Sequence, residues 1–215
     1  MIRPKILLYD WDNTLVDGWT GIAAALNATF TAFDMPHWTA EETRARVRVA
    51  MRESFPVMFG DRWTEARDIF YDALSRQHLD HVRPMAGAAE ALAAGGAWPQ
   101  GVVSNKSGPF LRAEVAHLGW AARFRAVVGA GDASADKPDP APIHLALSQL
   151  GATADLSVWY LGDTALDMQA ARAAGVTAVL IGDAAHDLGV DHAAPDLHFR
   201  TAHALAAQLH VLATG

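Results

Sequence analysis

Ile6-Leu7-Leu8-Tyr9-Asp10-Trp11-Asp12-Asn13-Thr14 is an apolar run that ends abruptly in two acids. A few consecutive apolar residues, too short for a helix face, read as a strand buried on both sides. Asp10 and Asp12 therefore fall at its carboxyl end, and while the backbone stays extended their side chains lean the same way. Two ionised carboxylates ~5 Å apart at an effective dielectric of ~20 repel by roughly 3 kcal/mol, so the pair calls for a cation, a proton or a chemical task. An isolated D-x-D-N is more often a turn whose Asp and Asn bond their own backbone. The rest of the chain decides between the two.

Four more runs of the same kind follow: Gly101-Val102-Val103-Ser104, Ala126-Val127-Val128-Gly129, Val158-Trp159-Tyr160-Leu161 and Ala178-Val179-Leu180-Ile181. Helical periodicity fills the intervals, a pattern that predicts an α/β fold with a doubly wound parallel sheet covered on both faces. Right-handed crossovers put ligands outside the carboxyl ends of such strands, where the polar clusters fall: Asp10/Asp12, Ser104/Asn105, Asp132 to Lys137, and Asp163/Asp167. Between the first two strands lies an insertion of roughly 85 residues, too long for a plain crossover, so part of it is expected to form a separate helical domain. Its apolar faces are Ile22, Leu26, Phe30 and Phe33, then Val47, Met51, Phe55, Met58 and Phe59, then Ile69, Ala73 and Leu74. Re-entry is expected at Arg83-Pro84-Met85-Ala86-Gly87, which makes residues 1–14 and 84–215 the core and 15–83 the insert.

The composition narrows the classes. Hydrophobic residues make up 51% of the 215, charged residues 19%, so the chain reads as ordered and globular. With no Cys, disulfides, thiolate metal sites and a Cys nucleophile are excluded. A formal charge of −7 argues against nucleic acid as the partner, because phosphate-backbone affinity needs a concentrated basic surface. The N-terminal apolar run is too short for a signal segment or membrane span, so a cytoplasmic protein without a membrane partner is expected. A small anionic ligand fits, if metal, Lys or Arg and helix N-termini capture it locally.

Several residues carry chemistry. One carboxylate of Asp10 and Asp12 can attack phosphorus while the other gives a proton to the departing alkoxide and later takes one from water. Asn13 falls where a sharp turn favours positive φ, and Thr14 offers a hydroxyl. Ser104 precedes Asn105-Lys106-Ser107-Gly108-Pro109 and a helix; it is either an ordinary N-cap or part of an anion site. Lys137, before Pro138-Asp139-Pro140-Ala141-Pro142, is a solvated charge unless held beside a carboxylate nucleophile, where it would cancel negative charge. Gly162-Asp163-Thr164-Ala165-Leu166-Asp167 offers hard oxygen ligands suited to Mg²⁺.

Asp10-Trp11-Asp12-Asn13-Thr14, Ser104, Lys137 and Gly162-Asp163-Thr164 with Asp167 together resemble the four ordered motifs of the haloacid dehalogenase-like hydrolases, phosphatase branch. The resemblance implies a Mg²⁺-dependent phosphatase in which Asp10 becomes phosphorylated and Asp12 is the general acid and base. It implies Ser104 and Lys137, with Thr14 and Asn105, around the phosphoryl group. It also implies a metal held by Asp10, the backbone carbonyl of Asp12 and Asp163, with Asp167 in support. The insert resembles the helical cap of the subfamily that includes phosphoglycolate phosphatases, which points to a small phosphorylated metabolite such as phosphoglycolate. Asn13 and Trp11 stand where that pattern commonly has Gly and Phe.

In the insert, Arg44, Arg48 and Arg52 at i, i+4, i+8 would line one helix as a basic stripe. They are either a solvated face with Glu41 and Glu53 or a site in which Arg48 or Arg52 meets a second anionic group of the substrate. Gly18 and Trp19 are candidates for a hinge or pocket wall. His78/His81 and His186/His192 lack a ligand set and read as surface or capping residues. No P-loop, dinucleotide fingerprint or G-x-S-x-G elbow occurs. A dehalogenase has no use for Asp12, whose proton a halide leaving group does not need. A phosphomutase, a pyrophosphatase and a catalytically idle module on the same fold are the alternatives.

Overall fold

All five runs form strands, and a sixth joins them. The computed structural model describes residues 2–47 and 51–215. Strands β1 (Ile6–Tyr9), β2 (Gln100–Ser107), β3 (Ala126–Ala130), β4 (Val158–Gly162), β5 (Thr177–Ile181) and β6 (Leu197–Phe199) make one sheet in the order β3-β2-β1-β4-β5-β6. Every pairing is parallel. The first strand thus sits near the middle, and the chain winds outward to one side and then to the other. In sheets wound this way, ligands bind where the winding reverses, beyond the carboxyl ends of the central strands. The sixth strand escaped the sequence reading because three residues, Leu-His-Phe after Pro195-Asp196, carry too little apolar signal for an edge strand. Asp196 secures it through its N–H to the Ala178 carbonyl and its carboxylate to the Ala178 N–H.

The chain separates into two compact units, Met1–Val16 with Arg83–Gly215, and Asp17–Val82. The second is wholly helical: α1 (Gly18–Ala32), α2 (Ala40–Arg46), α3 (Met51–Phe59) and α4 (Trp63–His81). Asp17 caps α1, accepting from the Trp19 N–H, and so places Gly18 and Trp19 in its first turn. Leu26 and Phe30 of α1 pack with Phe55 and Phe59 of α3 and with Ala66, Phe70 and Ala73 of α4. On α4 the buried register is 66, 70, 73; Phe70, not the half-buried Ile69, fills the place the sequence reading gave to Ile69. The single helix that would align three arginines is not formed. Thr39 and Glu42 make a capping box that starts α2, but Val47 is already extended (φ −78°, ψ 99°), which ends that helix ahead of α3. Arg44 lies on α2, Arg48 is outside the described residues, and so is the side chain of Arg52.

In the first unit the sheet carries α5 (Ala88–Ala94), α6 (Gly108–His117), α7 (Ala141–Gln149), α8 (Ala165–Ala174), α9 (Val190–Ala193) and α10 (Ala202–Thr214). Ile6 and Leu8 enter one core with Ile143 and Leu147 of α7 and Met168 and Ala171 of α8. Leu7 and Tyr9, equally buried, serve the opposite face. Burying each of these leucines contributes about 2 kcal/mol, enough for four residues of β1 to fix their register. Among the described residues no helix is long and apolar enough to cross a membrane.

Candidate active site

Asp10 leaves the sheet as the first residue past β1, its N–H still bonded to the Leu161 carbonyl of β4 at 2.7 Å. The chain then turns sharply. Asn13 takes φ 62°, the left-handed region foreseen for it, and its N–H donates to the Val16 carbonyl.

Lys137 reaches the same place from the loop after β3. Its Nζ donates to Asp10 Oδ1 at 2.6 Å, to Asp167 Oδ1 at 2.7 Å and to Tyr160 Oη at 2.9 Å. Tyr160 passes its own O–H to the Val103 carbonyl at 2.8 Å. All three ammonium hydrogens are thereby committed, so Lys137 acts on its surroundings as a fixed charge. Burial alone would lower its pKa, but the carboxylates of Asp10 and Asp167 outweigh burial and hold it well above the ordinary lysine value.

Asn105, expected near the phosphoryl group, has another use. Its side-chain amide donates to the Lys137 carbonyl and its oxygen accepts the Lys137 N–H, both at 2.9 Å. That two-point clasp ties the end of β2 to the loop that carries the lysine. Ser104 is buried just before it, where the pairing of β2 with β3 slips between Val103 and Ser107. The Ser104 hydroxyl accepts the Lys106 N–H at 3.2 Å, and helix α6 starts later, with Ser107 in the capping position. Ser104 is therefore not the helix cap that one reading made it.

Asp163 follows β4, and Thr164 then caps α8. Asp167, at the third position of that helix, completes a capping box: its Oδ2 accepts the Thr164 hydroxyl at 2.6 Å and the Thr164 N–H at 3.1 Å. Gly162 is required here, since a Cβ on it would lie 2.4 Å from both Cβ and Cγ of Asp167. Thr14, expected to touch substrate, donates its hydroxyl to Asp163 Oδ1 at 3.2 Å. The other oxygen of Asp163 is buried and lies 3.1 Å from His186 Nε2. His186, read from sequence as a surface or capping residue, thus stands against a site acid with only 13% of its side chain exposed.

Ligand oxygens of Asp10, Asp163 and Asp167 all fall within 4.8 Å of one another. Three buried carboxylates face one ammonium, and the electrostatics show the excess. Burial pushes Asp10 up to about 7 despite Lys137, with Asp167 and Asp163 adding to the rise. Burial likewise raises Asp163, against the pull of His186. For Asp167 burial is overcome by Lys137 and the Thr164 hydrogen bonds, which keep it below the usual range. An all-oxygen set of three buried carboxylates fits a small hard cation such as Mg²⁺.

The Asp12 carboxylate is not part of that group. Its Oδ1 accepts from Lys106 Nζ at 2.8 Å, and Lys106 donates again to Glu114 Oε2 of α6 at 2.6 Å. Trp11, fully buried between the two aspartates in sequence, donates its indole N–H to the same Glu114 oxygen at 2.6 Å. The sequence reading passed over Lys106 and Glu114 as functional positions. So two neighbouring acids on one strand end are matched to two different lysines: Asp10 to a lysine without free donors, Asp12 to one at the rim. That division allows one carboxylate to attack and the other to carry a proton.

A family model described as haloacid dehalogenase-like hydrolase matches residues 7–181. A phosphoglycolate phosphatase of Xanthomonas campestris pv. campestris (strain 8004) is 31% identical over 186 residues, 82% of either chain. An N-acetylmuramic acid 6-phosphate phosphatase of Pseudomonas aeruginosa is 32% identical over 183 residues, 81% of this chain and 80% of that one. Among solved structures, a HAD-superfamily hydrolase of subfamily IA, variant 1, from Geobacter sulfurreducens PCA shares the fold with a TM-score of 0.79, 21% identity and 96% coverage of both chains.

Proposed function

Since the chain belongs to the haloacid dehalogenase-like hydrolase family and is a phosphatase of that family, we propose that it is a Mg²⁺-dependent phosphomonoesterase acting through a phosphorylated Asp10. The observation that supports this most directly is the buried set of Asp10, Asp163 and Asp167 around Lys137, with Asp12 set apart on its own lysine.

Asp10 supplies the attacking oxygen. Its lone pair forms the new O–P bond as the ester P–O bond breaks, and the electron pair of that bond stays with the leaving oxygen, which takes the proton of Asp12. Asp12 then removes a proton from water, whose oxygen attacks the phosphorus of phosphorylated Asp10; the Asp10 O–P bond breaks, its electron pair returns to the carboxylate, and inorganic phosphate leaves. Lys137 counters the negative charge gathered on Asp10 and the phosphoryl oxygens, and Asn105 fixes its backbone while it does so. Asp10 and Asp163 would hold Mg²⁺ with Asp167 in support; when bound, the ion supplies positive charge to the phosphoryl oxygens. The substrate we propose is a small phosphorylated metabolite of the phosphoglycolate kind, in line with the names of several similar phosphatases.

The test is phosphate release from a panel of phosphorylated metabolites, with Mg²⁺ and with EDTA, for the wild type and Asp10→Asn. Metal-dependent turnover of at least one monoester that the variant lacks is the expected result. No turnover by the wild type, or turnover that Asp10→Asn retains, refutes the reading.

A further inference from the structure

Lys106 and Glu114 belong to none of the steps above, yet Glu114 is a helix glutamate with 1% of its side chain exposed, and Lys106 keeps 19%. Asp12, at the open end of the same chain of contacts, keeps 32%. A carboxylate is buried inside a helix–sheet packing only where something holds it, and here two donors meet on one oxygen, the Trp11 indole and the Lys106 ammonium, both at 2.6 Å. A lysine by itself is a poor positioning device, being a point charge on a flexible four-carbon stem. Pinned between two carboxylates, and with its own backbone N–H on Ser104 Oγ, it loses that freedom. The anchor is rigid in turn: α6 carries Glu114, and the Trp11 ring sits edge-on to Trp120 with centroids 5.9 Å apart.

We propose that Lys106, braced by Glu114 and Trp11, is a positioning residue for Asp12, and that it fixes which carboxyl oxygen handles the proton. Lys106 occupies Oδ1, so the transferable proton resides on Oδ2. This rests on the reading of Asp12 as the general acid, and it gives the indole at position 11 a task that a phenyl ring, lacking an N–H, does not perform.

The experiment compares kcat/KM for an alkyl monoester, whose alkoxide needs a proton to leave, with that for 4-nitrophenyl phosphate, whose phenolate does not. Because kcat/KM covers only steps up to the first phosphoryl transfer, later hydrolysis of phosphorylated Asp10 does not blur the comparison. Loss of a general acid costs about 10²–10⁴-fold, and Asp12→Asn is expected to show such a loss on the alkyl ester with a much smaller one on the aryl ester. Lys106→Met is expected to lower the alkyl-to-aryl ratio about tenfold, and to add nothing to that ratio in the Asp12→Asn background. Because Lys106→Met leaves Glu114 charged with one donor fewer, the double variant Lys106→Met/Glu114→Gln, which removes both charges, is measured beside it and is expected to show the same ratio. If Asp12→Asn is selective but Lys106→Met and the double variant lower both esters equally or neither, the positioning role is wrong and the phosphatase reading stands. If Asp12→Asn is not selective, Asp12 is not the acid and the positioning role falls with it, while the phosphatase reading is decided separately by Asp10→Asn.

Discussion

Replacing Lys137 by Met keeps the volume of the side chain and removes its charge from a place where 3% of it is exposed. What remains is a group of buried carboxylates with no ammonium among them. Removing one partner of a buried ion pair costs about 3–5 kcal/mol, and for a chain of this length that lowers Tm by about 10 °C. The loss depends on pH in a direction the site dictates. Lys137 itself is raised above its unfolded value of 10.5, so its stabilising contribution is complete at both pH 6 and pH 8. Asp167 is depressed below 3.8 and stays ionised at both. Asp10 is the group that changes: raised to about 7, it favours the folded state at low pH and opposes it as pH rises through that value. Lys137 pulls both Asp10 and Asp167 down, so Lys137→Met raises both; the variant then takes up protons that the wild type does not, and its deficit is smaller at pH 6 than at pH 8. The Tm deficit in EDTA, followed by circular dichroism, is expected to be smaller at pH 6 than at pH 8. A deficit that is the same at both, or a variant as stable as the wild type, refutes the electrostatic account.

Gly162→Ala forces Asp167 away from β4 by more than a flexible side chain can absorb, and is expected to cost about 1–3 kcal/mol in urea unfolding with a matching loss of phosphatase activity. Asn13→Ala puts a Cβ-bearing residue without a compensating amide at φ 62°, costing about 1 kcal/mol, while Asn13→Gly changes stability by a few tenths; equal effects of the two would mean that the turn does not hold that angle. Mg²⁺ binding needs Asp10 ionised, so the apparent affinity measured by titration calorimetry is expected to climb about tenfold per pH unit below about 7 and to level off above it, with proton release on binding.

The sheet was legible because its central strands are unbroken apolar runs, and the acids stood out because they follow those runs without a spacer. Asn13 announced its turn, and Lys137 its place beside Asp10, once the two were taken as partners. Other features were hidden by distance. Trp11 and Glu114 are 103 residues apart, so nothing in the local pattern Glu-Val-Ala-His says that this glutamate faces inward rather than out. His186 lies beyond β5 in a polar loop, where a histidine looks like a surface residue until the fold carries it to Asp163. The break at Val47 was missed for a different reason. The arginine spacing suits one continuous helix, but the backbone becomes extended there before a second helix begins.

The position of β1 has a consequence for how the molecule is made. Leu7 pairs with Gln100 on one side and Trp159 on the other, so β1 stays without its sheet neighbours until segments far downstream of it have been made. Until then Asp10 is an acid on an unshielded greasy strand, and its lysine arrives 127 residues further along the chain. Turnover is consequently a stringent readout of completed folding: truncated or half-assembled forms are expected to be silent rather than feebly active.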